Sequence, residues 1–348
     1  MKTLLRCVVA CCAWMAASAM AQLQPQIPPA GPAAPTGKTV VFVASDFRNG
    51  GVMGVYRGLE EASRILGWKL VLEDGQGQGS TQAALLDRAL ATSPHGIVFG
   101  GFDPDALTEQ VAKARREKIV LVGWHAAKEP GPTTHLFTNI STRADDVARL
   151  AAELVLRDAR ARQQPVGVVI FNDDQYAVAN AKTAVMKQTI EACQGHSGCQ
   201  VLAVQNLRIS DAASAMPRLV PQLLETHGTA WTYSLAINDV YFDEINFPLL
   251  RAQRTDIRNV SAGDGSAKAL GRIAAGVSQQ IATVAEPLKL HGYQLADELN
   301  RAFAGAPPSG FQSQPLLLTT EVLRQADKRG AEASLGFEAA YRKIWKRP

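Results

Sequence analysis

Apolar residues in this chain come in short runs separated by stretches with helical spacing. The runs "TVVFVAS" (39–45), "KLVLED" (69–74), "GIVFGG" (96–101), "IVLVGW" (119–124) and "HLFTN" (135–139) have the length and content of strands. Residues 52–66 and 80–91 between them read as helices, and in the second Ala84, Leu85, Ala89 and Leu90 fall near one helical face. The rhythm restarts at "PVGVVIFND" (165–173). It continues through a helix over 181–193, the strand "QVLAVQNL" (200–207), a helix over 212–227, "AWTYSLAIND" (230–239), a helix around Leu249 and "IRNVSAGDG" (257–265). Strands alternating with helices predict parallel sheets covered on both faces. Two successive runs predict an α/β fold of two doubly wound lobes.

Ligands of such sheets bind beyond the carboxyl ends of the strands. The first run is followed by Asp46, Phe47 and Arg48, and the fourth ends on Trp124-His125. In the second half the strand ends carry Asn172, Asp173, Asp174 and Tyr176, with Asn180 opening the next helix; later come Asn238-Asp239, Asp264 and Glu286. Hydrogen-bonding side chains with Phe47, Trp124 and Tyr176 to cover an apolar face suit a small polar, polyhydroxylated or amine-bearing molecule. Blander roles stand beside these: Asp264 could cap the following helix, Trp124 could pack in a core, Asp46 and Arg48 could pair on the surface, and Asp173 and Tyr176 could belong to a helix cap.

The turn in "LVLEDGQGQGST" (70–81) has the look of a phosphate cradle, with Gly75, Gly77 and Gly79 between a strand and a helix. A dinucleotide fingerprint would follow the first strand, where "SDFRNGG" stands instead, and would want an acidic residue ending the next strand. The turn therefore reads as structural. The chain lacks a G-x-S-x-G elbow, an H-E-x-x-H pair and a P-loop lysine after the glycines, so no catalytic residues, cofactor or metal site are expected and the protein reads as a non-enzyme.

The 348 residues are 47% hydrophobic and 20% charged, the balance of a folded chain, and the net charge of +4 includes no block of Lys and Arg that would mark a nucleic-acid partner. The basic end "YRKIWKRP" (341–348) reads as a solvated terminus. At the other end, Lys2 and Arg6, an apolar run and Ala19-Met20-Ala21 before Gln22 make residues 1–21 a cleaved signal peptide, and the location periplasmic. Lipoprotein processing at "VVAC" (8–11) is the rival, against which the apolar stretch before Cys11 is short. Residues 22–37, rich in Pro and Ala, read as an extended, mobile leader. Cys193 and Cys199 remain after cleavage and bracket a polar turn, which in an oxidising compartment suggests a disulfide; a metal or redox pair with His196 is the alternative.

Taken in order, "VVFVASDF", "GVMGVYRGLEEASRILGWKLVLED", "TSPHGIVFGGFDPDALTEQVAKARREKIVLVGW", "LAIND", "VSAGDGSAKALGRI" and "IATVAEP" resemble periplasmic solute-binding proteins of the ribose/galactose-binding type, over residues 38–323. That resemblance implies a type I periplasmic-binding fold with three hinge crossovers, near 139–142, 285–289 and 316–320. It implies an N-terminal lobe of 38–140 plus 287–318, a C-terminal lobe of 141–286 plus 319–330, and a tail from 331. Position by position, Asp46, Phe47 and Arg48 stand at the family's first-strand contacts, Asn238 and Asp264 at its ligand-binding Asn and Asp, and Glu286 near a glutamine that closes the site. Trp124-His125 replaces the family's Asp-Arg pair, Asn180 stands for its helix-start arginine, and Gly263 replaces an aromatic. The implied role is a monomeric receptor that closes on a sugar-like ligand and delivers it to the permease of an ABC importer. A sensor for a membrane histidine kinase or chemoreceptor is the alternative. A sugar-responsive repressor shares the fold but would carry a helix-turn-helix where the signal peptide stands.

Overall fold

A computed structural model describes residues 27–193, 198–326 and 331–347 of the chain. The expected signal peptide, the first part of the leader and His196 lie outside the described residues. The first lobe is a five-stranded parallel sheet in the order β2-β1-β3-β4-β5. Its strands are β1 (Thr39–Ala44), β2 (Lys69–Asp74), β3 (Gly96–Gly100), β4 (Val120–Trp124) and β5 (Asn139–Ile140), with helices α1 (Gly50–Leu66), α2 (Gln82–Ala91) and α3 (Thr108–Arg116) between them. The alternation along β1 shows how the sheet is covered. Val40, Phe42 and Ala44 pack with Val52, Val55 and Leu59 of α1, while Val41 and Val43 pack with Leu85 and Leu86 of α2.

The second lobe is a six-stranded sheet ordered β11-β10-β9-β8-β6-β7, parallel except for its edge strand. It comprises β6 (Val166–Asn172), β7 (Cys199–Asn206), β8 (Tyr233–Ala236), β9 (Arg258–Ser261), β10 (Gln280–Ala285) and the antiparallel β11 (Leu316–Thr319). Helices α4 (Ala144–Arg162), α5 (Ala177–Glu191), α6 (Ala212–His227), α7 (Val240–Arg251) and α8 (Ala267–Ala275) belong to this half. Three further helices follow: α9 (Leu288–Phe303), α10 (Thr320–Gln325) and α11 (Phe337–Ile344). No helix among the described residues is long and apolar enough to cross a membrane.

The chain crosses between the lobes after β5, at Glu286-Pro287 between β10 and α9, and again on entering β11. After the second crossing α9 returns to the first lobe and lies against α1 at backbone contact. A Cβ on Gly58 would sit 2.4 Å from the Lys289 carbonyl oxygen, and one on Gly292 would sit 2.3 Å from the Leu59 nitrogen, so both positions need glycine.

Four expectations change. The run 135–139 is mostly loop: Phe137 and Thr138 bond to the backbone of β4, and only Asn139–Ile140 form a ladder. The chain expected to stay in the first lobe to residue 318 has already joined the second sheet at Leu316, which pairs with Ala285 and covers the edge of β10. The leader is docked over its described part. Arg301 bonds the Ala30 carbonyl, Asn300 bonds that of Pro32 at 2.8 Å, and the Trp68 indole bonds that of Pro35 at 2.7 Å. The basic end is not simply solvated, because Phe337, Tyr341 and Trp345 are buried around Tyr293 of α9, with Trp345 stacked on Tyr293 at 5.8 Å. A composition count sees the charges of that terminus and misses the spacing of its aromatics, which puts all three on one face of α11 and the turn after it.

Trp345 also donates to the buried Asp297 at 2.8 Å. Trp345→Ala is expected to cost about 3–5 kcal/mol of unfolding free energy through the cavity it leaves. Urea denaturation measures this, and a loss below about 1 kcal/mol would show the tail to be dispensable.

Candidate functional site

The carboxyl ends of both sheets face each other across a cleft. From the first lobe, Ser45, Asn49, Trp124 and His125 line it; from the second, Tyr176, Lys182, Asn238 and Asp264. Val52, Ile209 and Ile237 supply apolar wall. The position of each follows from its element. Ser45 directly follows β1, Trp124 ends β4, Asn238 follows β8 and Asp264 follows β9, while Asn49 caps α1 by accepting from the Gly51 amide at 2.8 Å.

Behind this wall lies a buried charge cluster. Glu286 accepts from His125 Nε2 at 2.8 Å, from Lys182 Nζ at 3.2 Å and from the Thr142 amide at 3.3 Å. His125 comes from the first lobe, Lys182 from the second, and Glu286 and Thr142 from two hinge crossings. Burial alone would raise the Glu286 pKa, but His125 and Lys182 hold it well below the usual carboxylate range. Lys182 also donates to the Ala262 carbonyl at 3.0 Å. His125 has φ of +49°, a left-handed conformation costing on the order of 1 kcal/mol. Its ring lies flat on Trp124 at 4.1 Å. The Trp124 indole donates to His291 Nδ1 at 3.1 Å, and burial lowers the His291 pKa to about 4, so this ring is neutral and accepts.

The carboxylate of Asp264 is in a different position. It accepts from the Asn238 amide and lies within reach of α1, since a Cβ on Gly51 would sit 2.5 Å from Asp264 Oδ2. Burial raises its pKa to about 6, outweighing the opposing pull of Lys182 and His125, and Glu286 and Asp239 push the same way as burial. Its neighbour Asp239 is engaged elsewhere, accepting from Gln280 at 2.7 Å, the Gly265 amide at 2.8 Å and Thr283 at 3.3 Å.

Of the residues expected from the sequence, Trp124, His125, Tyr176, Asn238 and Asp264 meet at the cleft, with Glu286 directly behind. The others are placed elsewhere. Arg48 lies largely exposed and makes two bonds to Asp46, at 2.9 and 2.8 Å, while Phe47 packs edge-on against Tyr56. Asp173 accepts from the Ile209 amide at 2.9 Å and from Gln175, holding two loops together. Asn180 is exposed and bonded to Asn172 and the Asp174 carbonyl. Lys182, two residues on, reaches the cleft that Asn180 does not. Its signal was in the sequence: Ala179, Thr183, Met186 and Ile190 form the buried face of α5, and Lys182 stands on that face as a cation among core positions. Ser45 and Asn49 were also missed, being small polar residues that flank the more conspicuous Asp46-Phe47-Arg48.

Two smaller expectations are settled locally. Cys193 and Cys199 are joined as a disulfide with Cα atoms 6.4 Å apart, tying the end of α5 to the start of β7. In the glycine-rich turn, the amides of Gly75 and Gly77 are both spent on the carbonyls of Ala44 and Ser45 at 2.9 Å, which pins the turn to the end of β1.

Residues 40–307 match the family model described as periplasmic binding protein domain. No curated protein matches the chain. Among solved structures, the fold is similar to an ABC sugar transporter subunit from Rhodobacter sphaeroides (TM-score 0.66, 21% identity, covering 82% of this chain and 99% of that one). It is similar to a sugar ABC transporter protein from Yersinia enterocolitica (TM-score 0.72, 14% identity, 83% and 85% covered). A myo-inositol binding protein from Caulobacter, solved with myo-inositol, gives a TM-score of 0.68 at 18% identity, with 87% and 99% covered.

Removing Lys182 leaves a buried carboxylate short of one of its two counter-charges, so Lys182→Met is expected to cost about 3–5 kcal/mol by urea denaturation; a neutral effect would contradict the assigned ion pair. Asp264 should behave in the opposite sense. Its folded pKa of about 6 lies above the reference value of 3.8, so its contribution is favourable at low pH and is lost as pH rises through 6. Ionised, it costs about 3 kcal/mol. Asp264→Asn should therefore raise the melting temperature at pH 8, with the gain shrinking towards pH 4. An equal gain at both pH values would show that Asp264 does not titrate in this way.

Proposed function

This chain belongs to the periplasmic binding protein domain family, and we propose that it is an exported receptor that closes on a small, neutral, sugar-like ligand. In this reading residues 1–21 direct export to the periplasm, and the closed form hands the ligand to an ABC permease in the membrane. The observation that carries the reading is the inter-lobe cleft, walled by donors and acceptors from both sheets with Trp124 and Tyr176 among them. Asp264 and Asn238 offer a carboxylate and an amide to ligand hydroxyls, and Asn49, Ser45 and Lys182 face them from around the cleft. The Trp–His stack gives a flat aromatic floor of the kind a sugar ring covers. The similar Caulobacter protein, solved with myo-inositol, supports a polyhydroxylated ring as the ligand class.

Closure follows from geometry. A ligand that bonds to residues of both lobes binds the closed form more tightly, and so shifts the population towards it. Moving the equilibrium from 1:99 to 99:1 needs about 5.5 kcal/mol of differential binding, which a few buried hydrogen bonds and one stacked ring can supply. All of the groups described bind and orient; the reading assigns no chemical step to them.

Calorimetric titration of the mature chain against pentoses, hexoses and cyclic polyols tests the reading. One class should bind saturably, and Asp264→Ala and Asn238→Ala should each weaken it by about 1–3 kcal/mol. Unchanged affinity in both variants would remove the cleft as the binding site.

A further inference from the structure

The cleft does not end at Tyr176 and His125. A second and larger chamber, the outer chamber, adjoins it, and the two share Ser45, His125, Tyr176 and Val178 as common wall. The outer chamber also lies between the lobes. Gly77, Gly79, Gln82, Phe102 and Asp103 line it from the first lobe, and Gln175 from the second. Its chemistry repeats that of the inner site: side-chain amides (Gln82, Gln175), one carboxylate (Asp103), and aromatic surface from Phe102 and Tyr176.

We propose that the outer chamber is a second binding subsite, and that the ligand is a two-unit molecule, a disaccharide or glycoside whose second neutral polyhydroxylated unit occupies it. The inference rests on the sugar reading of the inner cleft. The glycine-rich turn forms part of its wall. Gly77 and Gly79 present bare backbone there, and a Cβ built on Gly79 meets no heavy atom within 4 Å. Any larger side chain at 79 would project into space that the fold leaves empty, at a position where the backbone does not require glycine by a positive φ. The carboxylate of Asp103 is the acidic group of this lining, which disfavours an anionic second unit. Gln175 is held in place by Asp173 at 3.0 Å, so the loop bond that keeps Asp173 out of the inner site positions a donor-acceptor group at the outer one.

The test is calorimetry on the mature chain with one-ring probes (ribose, galactose, myo-inositol) and two-ring probes (lactose, melibiose, maltose), repeated on Gly79→Leu and Gln82→Ala. A two-ring probe should bind at least about tenfold more tightly than every one-ring probe. Gly79→Leu should abolish that advantage and Gln82→Ala should reduce it, with one-ring affinity and melting temperature unchanged in both. Tightest binding by a one-ring probe would overturn the proposal while leaving the receptor reading intact. So would a two-ring advantage that survives both substitutions. Failure of all six probes would overturn the sugar reading and this proposal with it.

Discussion

Where the chain passes from β10 to α9, a fully buried carboxylate has been placed at the meeting point of the two lobes, and groups from both must compensate it. Glu286 has no exposed side-chain surface, and desolvating an ion of this size costs several kcal/mol unless it is paired. Its partners are a histidine from the end of β4, a lysine from α5 and the amide of Thr142 in the neighbouring crossing. Parting the lobes at this point would leave a carboxylate or an ammonium group uncompensated, so the cluster is the pivot about which the lobes move rather than a line along which they separate. Much else follows from the same constraint: the left-handed backbone of His125, the flat Trp124 beneath it, and the neutral His291 that accepts from the Trp124 indole.

The cluster also divides the labour between the two acidic residues of the site. With Lys182 and His125 committed to Glu286, Asp264 is left in the cleft wall with an amide as its partner and a pKa raised to about 6 by burial. One carboxylate is thus stabilised by the fold, and the other is held at a cost that a ligand donor can reduce. Binding sites commonly carry such locally unfavourable groups, supported by favourable packing elsewhere. Here the support includes the glycine contact between α1 and α9 and the aromatic tail packed on the far side of α9.

Much of this was legible in the sequence because the strands are buried on both faces and read as uninterrupted apolar runs. β1, β3, β4 and β6 were recognisable on that ground alone, and the strand-end rule then led to Trp124, His125, Asn238 and Asp264. Legibility failed where tertiary contacts, not local pattern, decide the outcome. Asp46 and Arg48 look like ligand contacts by position, but they satisfy each other. Asn180 occupies the place suggested by resemblance, while the helical phase of α5 delivers Lys182. The Pro-rich leader and basic tail look unstructured until α9 offers donors to the leader's carbonyls and an aromatic face to the tail. In each case the missing information was the identity of a partner distant in sequence, such as Asp297 for Trp345 or Asn300 for Pro32.

The central claim is that the cleft is a closing one, whose lobes move relative to each other when a ligand bridges them. Pulsed electron-spin distance measurements address it directly, with one spin label on an exposed position of α3 and another on α6. The account predicts a distribution that collapses onto a single short distance when the tightest-binding sugar is added at saturation. A distribution that is identical with and without that sugar would contradict it, and would leave a rigid scaffold in place of a receptor that closes.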